Sequence, residues 1–420
     1  MSNIASDVVV DELQAAQRAL RIAVVTETYP PEVNGVSLTI ARVVEGLRDR
    51  GHDLQLIRPR QQADDRADDQ ADSGERFHEM LLRGLPIPRY PHLKMGLPAK
   101  PALTRLWSLR RPDVVHIATE GPLGWSALQA AHKLRLPVTS DFRTNFDAYS
   151  RHYGVGWLRK PIMAYLRKFH NRTLATMVPT EDLCAKLVAS GFRHVQVVGR
   201  GVDTDRFSPI HRSQALRESW GAGPQTLVVA CVGRLAPEKN LGCLLQAFAA
   251  IRARRPDSLL LLVGDGPSRR ELQAACPYAS FAGLRSGVDL SAHYASADML
   301  LFPSTTETFG NVTPEAMASA LPVLAYDYAA AAQLIRSGDN GMLASFDQTE
   351  SFIARAATMA CDPAGLAAMG QRARESMHAQ GWDRIIGQVE ALLRQALAQP
   401  LAPALASTVV AASATTPAWP

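Results

Sequence analysis

The sequence predicts an α/β protein of two domains, each a doubly wound parallel sheet. Two strand–loop–helix openings support this. RIAVVT, ETYPPEVNGVS and LTIARVVEGLRDRGH follow one another early in the chain, and LVVACV, GRLAPEKN and LGCLLQAFAAIRARRP follow one another in its second half. Further short apolar runs come after each opening, spaced by helical patterns, as expected of parallel strands covered on both faces. A chain of 420 residues is long enough for two or three such units.

Residues 1–20 read as an N-terminal extension, acidic at Asp7, Asp11 and Glu12 and without a base before Arg18. It therefore lacks the basic start and continuous apolar stretch of a secretory leader. The first domain is expected over residues 21–205, with DLQLIRP, DVVHIAT, LPVTSDF and ATMVPT as strands after the opening one. Within it, residues 61–74 (QQADDRADDQADSG) read as an acidic surface loop, without the glycine turn and closing glutamate of a calcium site. The chain passes to the second domain near residues 202–209. That domain, residues 206–380, continues with SLLLLVGDGP, ASFAGL, ADMLLFPS and LPVLAYD. Residues 381–398 carry a helical pattern, and residues 399–420, rich in Ala, Pro, Ser and Thr, read as a flexible tail.

With 47% of residues hydrophobic and 20% charged, collagen-like, disulfide-stapled and wholly disordered chains are excluded. Lys and Arg number 45 against 40 Asp and Glu, and a net +5 is a weak field unless concentrated. It is concentrated in residues 151–172 (RHYGVGWLRKPIMAYLRKFHNR), which hold six bases, no acid and an interleaved set of apolar and aromatic side chains. Two readings stay open there: an interfacial helix on anionic lipid, or an amphipathic helix packed on the sheet with a solvated basic face. No nucleic-acid recognition motif accompanies the charge, so nucleic acid is not an expected partner. No stretch approaches the ~20 apolar residues of a membrane span. Cys184, Cys231, Cys243, Cys276 and Cys361 are too scattered for a metal site and read as free thiols. A cytoplasmic setting is expected, with a peripheral place on the inner face of the cytoplasmic membrane as an option.

The strongest chemical constellation is LLFPSTTETFGNVTPEAMASALPVLA, a strand, a polar loop and a helix beginning near Pro314. Glu307 precedes the turn and Glu315 lies inside the helix. Between them Phe309, Gly310 and Asn311 can present amides at a helix N-terminus, suited to anions and hydroxyl-rich ligands. A first-turn acid complementing the dipole explains Glu315 equally well. The second constellation, Gly233, Arg234, Glu238 and Lys239, leaves a strand end where open α/β sheets bind ligands, and its bases suit phosphate. A solvated turn explains it as well. The third, VGDGP at residues 263–267, is an ordinary turn by itself.

Taken in order, GRLAPEKN, VGDGP, FAGL and TETFGNVTPEAMASALPVLA resemble the C-terminal domain of retaining, nucleotide-sugar-dependent glycosyltransferases of the GT-B fold, family 4. TETYPPEVNGVSLTIARVVEGLRDRGH resembles that family's opening glycine loop and helix. The resemblance spans residues 21–395. Within the family, these segments look most like GDP-mannose-dependent α-mannosyltransferases and sulfoquinovosyl-type lipid glycosyltransferases. It implies that Arg234 and Lys239 hold the donor diphosphate, Glu315 the ribose hydroxyls, and Glu307 with the amides of Phe309, Gly310 and Asn311 the donor sugar. Gly35, in the loop of residues 34–37, would approach the diphosphate from the other domain. Gly283, Leu284 and Arg285 would lie beside the nucleobase, and residues 381–398 would cross back to the first domain. Two departures stand out. Where relatives carry an HxH pattern this chain has His116 and Ala118, and where they often carry another histidine it has Arg143. His116, Glu120 and Arg143 are thereby candidates for contacting the sugar or acceptor.

The implied reaction is hexosyl transfer with retention, first choice mannosyl from GDP-mannose, to a lipid, polyprenol-linked or polysaccharide hydroxyl. A UDP-hexose is the alternative donor. No metal and no further cofactor is expected. Glu307 and Glu315 do not suit the paired carboxylates of a glycosidase, because the loop and helix aim them at different parts of one donor. A nucleotide-sugar epimerase and a non-catalytic sugar-nucleotide-binding subunit are the competing classes.

Overall fold

The computed structural model describes residues 18–32, 34–61, 77–87, 90–143 and 159–399. The first half holds β1 (Arg21–Val25), β2 (Asp53–Pro59), β3 (Phe77–Leu82), the hairpin β4 (Gly84–Ile87) and β5 (Tyr90–Gly96), β6 (Val114–Ile117), β7 (Val138–Asp141), β8 (Ala175–Val178) and β9 (Val195–Val197). All but the hairpin join a parallel sheet of order β3-β2-β1-β6-β7-β8-β9. The second half holds β10 (Leu227–Val232), β11 (Ser258–Val263), β12 (Ser280–Gly283), β13 (Met299–Phe302), β14 (Val323–Tyr326) and β15 (Met342–Ala344), in parallel order β12-β11-β10-β13-β14-β15.

Both sheets reverse their winding at one place, between β1 and β6 and between β10 and β13. In a doubly wound sheet the loops leaving such strands splay apart and open a crevice, the usual ligand site. The central strands β1, β6, β10 and β13 are almost wholly buried, since helices cover both faces. Apolar clusters lie on either side of each sheet, so each half has its own core.

The chain crosses between the halves twice, and the crossings lie side by side. Val202 N–H donates to Gln380 O at 3.0 Å, and Val202 and Gly381 form a parallel bridge. A Cβ on Gly201 would come within 2.7 Å of Trp382 Cα, so glycine lets the two segments touch. Beyond the second crossing the Trp382–Ala398 helix lies on the first sheet's core and buries Ile385, Ile386, Val389 and Leu393 there, beside the Gly35–Asp49 helix. Arg50 anchors it through Asp383 (2.6 Å) and Glu390 (3.0 Å).

Among the described residues no helix is long and apolar enough to cross a membrane, and all five cysteines are free thiols. The basic Arg159–His170 helix turns Leu166 and Phe169 into the core and packs Ile162 and Met163 against it. Spacing of three and four places these apolar side chains on the inner face, as expected of an amphipathic helix packed on the sheet. The outer face keeps exposed Lys160, Arg167 and Lys168, and Arg172 is exposed just beyond the helix. The acidic stretch after Gln61, residues 151–158 of the basic segment, and the tail beyond Gln399 lie outside the described residues.

Candidate active site

Apart from Gly283–Arg285, the residues singled out in the second half leave β10 and β13, the two strands flanking its switch point. After β10, Gly233 takes φ +137° and its amide donates to Val263 O at 2.9 Å. The VGDGP turn then explains itself. A Cβ on Gly264 would overlap the Gly233 carbonyl, and one on Gly266 the Leu235 carbonyl, so only glycines let this turn back the GRLAPEK loop. Arg234 is thereby held at the crevice, its side chain 43% exposed and its guanidinium 3.6 Å from Glu238. Lys239, on the short turn Pro237–Lys239, pairs with Glu307 from the loop after β13. Glu307 also accepts from Ser304 Oγ at 2.7 Å, and its amide is held by the Tyr328 hydroxyl.

Phe309, Gly310 and Asn311 follow, with Gly310 at φ +94°, and lead into the Val312–Ala318 helix. Glu315, in its first turn, accepts from the Tyr294 hydroxyl at 2.9 Å. Burial lifts its carboxyl to about 7, partly countered by that hydrogen bond and by Arg206. Gly283, Leu284 and Arg285 sit at the end of β12. Leu284 is 79% exposed, while Arg285 turns back onto Ala282 O (2.9 Å) and Asp289 (3.0 Å).

From the first half, Gly35 opens the Gly35–Asp49 helix, whose first amides are capped by the Asn34 side chain at 3.0 and 2.8 Å. A Cβ at Gly35 would lie 3.8 Å from Asn311 Nδ2 and 3.7 Å from Arg200 Nη1. The glycine loop of one half therefore faces the Phe309–Asn311 corner of the other.

The acceptor-side candidates form a second group at the ends of β6 and β7. His116 is buried, with Nδ1 2.9 Å from Thr139 Oγ1 and Nε2 3.3 Å from Asp141 Oδ2. Since a carboxylate only accepts, the hydrogen bond to Asp141 is donated by Nε2. Both ring nitrogens are thus occupied within the strand ends. Arg143 donates to the same Asp141 oxygen at 2.6 Å. Burial alone would raise Asp141, but Arg143 and His116 outweigh it and hold the carboxyl at about 2. Glu120 is buried, and its carbonyl accepts from Tyr165 of the basic helix at 2.7 Å.

Three participants were not read from the sequence. Tyr294 and Tyr328 are phenols on other elements that reach Glu315 and Glu307, and nothing in local spacing announces them. Arg200 lies in GRG at the first crossing, where a basic residue between glycines was the available signal. It is 8% exposed and donates to Asn311 Oδ1 at 3.2 Å.

Comparison with known proteins agrees with this geometry. The model "Glycosyltransferase Family 4" matches residues 33–206, and "Glycosyl transferases group 1" matches residues 226–362. The GDP-mannose-dependent alpha-mannosyltransferase of Mycolicibacterium smegmatis is 35% identical over 378 residues, which is 89% of this chain and 98% of that protein. The sulfoquinovosyl transferase SQD2 of Arabidopsis thaliana is 29% identical over 310 residues, 71% of this chain and 60% of that one. Among solved structures, Anabaena HepE in complex with UDP superposes with a TM-score of 0.70 at 18% identity, covering 90% of this chain and all of that one, which supports the fold alone. Two facing doubly wound sheets, a crevice lined by phosphate-suited bases and two carboxylates, and relatives matched almost end to end lead to one conclusion: the chain belongs to glycosyltransferase family 4, with the GT-B fold, and is a nucleotide-sugar-dependent hexosyltransferase.

Proposed function

We propose that this enzyme moves a mannosyl unit from GDP-mannose to a hydroxyl of a lipid or glycan, with retention of configuration. Its likeness to mannosyltransferases over nearly their whole length supports the donor. The observation that carries the site is the meeting of Lys239 with Glu307 in a crevice faced by Gly35.

In this reading the ribose hydroxyls donate to Glu315, which Tyr294 orients. The diphosphate lies between Arg234, Lys239 and the N-terminus of the Gly35–Asp49 helix. The hexose sits against Glu307 and the Phe309–Asn311 amides. The bond from the anomeric carbon to the phosphate oxygen breaks as charge grows on the diphosphate, and fixed cations stabilise that charge most. The acceptor oxygen bonds to the anomeric carbon on the same face, and its proton passes to the departing phosphate oxygen. Asp141 and Arg143 stand on the acceptor side. No divalent metal enters this scheme.

Incubation with radiolabelled GDP-mannose, UDP-glucose and a lipid acceptor panel tests the donor. Product from GDP-mannose alone is expected, and product from UDP-glucose alone would replace the mannosyl assignment.

The acceptor side also suggests contact with an anionic membrane surface. Lys160, Arg167, Lys168 and Arg172 support an electrostatic contact rather than an inserted one, at about 1 kcal/mol per base. Co-sedimentation with vesicles should require anionic lipid and weaken with salt, and binding indifferent to lipid charge would remove this part.

A further inference from the structure

Arg200 occupies an unusual electrostatic position. Its Nε has no hydrogen-bond partner and no carboxylate stands within 4.0 Å of it among the described residues. Its guanidinium lies 5.7 Å from the Phe309 ring centroid and bonds to Asn311. A buried guanidinium without a counter-ion is unfavourable. Two neighbouring carboxylates that act on it are already engaged, Asp141 by His116 and Arg143, and Glu307 by Lys239. Arg143 adds like charge, so burial and this repulsion bring Arg200 down to about 9. Opposite stands Gly35, at the positive end of a 15-residue helix. Two positive features therefore converge on one small volume, an arrangement that an anion would relieve.

We propose that Arg200 is a third cation for the donor's diphosphate and grips the phosphate that bears the sugar. The proposal rests on the donor-site reading above. The choice of phosphate follows from its surroundings: Arg200 bonds to Asn311 and lies over Phe309, in the loop that follows Glu307 at the sugar end of the proposed site. A planar guanidinium can offer its unused N–H groups to two phosphate oxygens at once. Because Arg200 precedes Val202, which is bonded to the second crossing, donor binding and the hinge between the halves share a residue neighbourhood.

Calorimetric titration of four nucleotides, GDP and GMP with UDP and UMP in parallel, and of GDP-mannose, into wild type, R200Q, R200K and R234A tests this. R200Q should lose about 10- to 100-fold in affinity for the cognate diphosphate, R200K should recover part of it, and the monophosphate should change less than about twofold. Equal losses for mono- and diphosphate overturn the proposal and leave Arg200 a structural role. No loss for either overturns it as well. A loss confined to the intact sugar nucleotide overturns it in favour of a hexose contact. A wild-type protein that binds none of the four nucleotides defeats the donor-site reading itself. If R234A loses the diphosphate while R200Q does not, that reading stands and Arg200 alone is removed.

Discussion

Glu315 is the residue whose chemistry makes the sharpest demand on conditions. Its folded carboxyl titrates near 7 against an ordinary value of 4.5, because burial disfavours the charge. The fold therefore prefers it protonated: its contribution to stability is present below about 4.5 and is lost as pH rises through about 7. The proposed ribose binding runs the other way, since two hydroxyls donate best to the ionised carboxylate. Nucleotide affinity measured by calorimetry should fall about tenfold from pH 8 to pH 6 in wild type, and this step should be absent in E315Q. At the opposite end of the proposed donor site, Lys239→Ala would remove a leaving-group cation and also leave Glu307 without its ammonium partner. Turnover should drop by about 10²–10³, mostly in kcat, in a steady-state assay, with melting temperature little changed.

At the scale of elements, backbone contacts between loops aim the donor-side cations. The Gly264 position takes φ +138° and has no room for a methyl group beside the Gly233 carbonyl. Gly264→Ala should destabilise the second half by about 3 kcal/mol in chemical denaturation and displace Arg234, lowering nucleotide affinity more than stability alone explains. The VGDGP turn was visible in the sequence, but its purpose was not, because the loop it supports, at Gly233 and Arg234, lies far earlier in the chain. Central strands such as LVVACV and DVVHIAT were legible for a physical reason: burial on both faces leaves an unbroken apolar run. The strands β3, β9 and β15 were not. FHEMLL is half-buried at a sheet edge and carries His78 and Glu79, and VQV and MLA are three residues long. The site shows the same division. Arg234, Lys239, Glu307 and Glu315 lie in local motifs, whereas Tyr294, Tyr328 and Arg200 reach the crevice only through tertiary packing.

For the whole molecule, the decisive feature is the loan of the last helix to the first core. Ile385, Ile386, Val389 and Leu393 are buried against the first sheet, each worth about 1.5–3 kcal/mol. A chain ending at Gly381 should therefore lose cooperative unfolding of its first half, seen as binding of a hydrophobic dye and lost near-ultraviolet dichroism, while the second half still melts as a unit. A chain with intact transitions in both halves would refute this division of the core. The same loan governs how the protein is made. A ribosome releases the first half complete in every strand of its sheet but lacking part of the cover on one face. At about 5–20 residues per second, roughly ten to forty seconds pass before the covering helix emerges. During that interval the nascent enzyme presents an open apolar face, which makes its first half a client for chaperones during translation, whereas the half made later can close its own core on release.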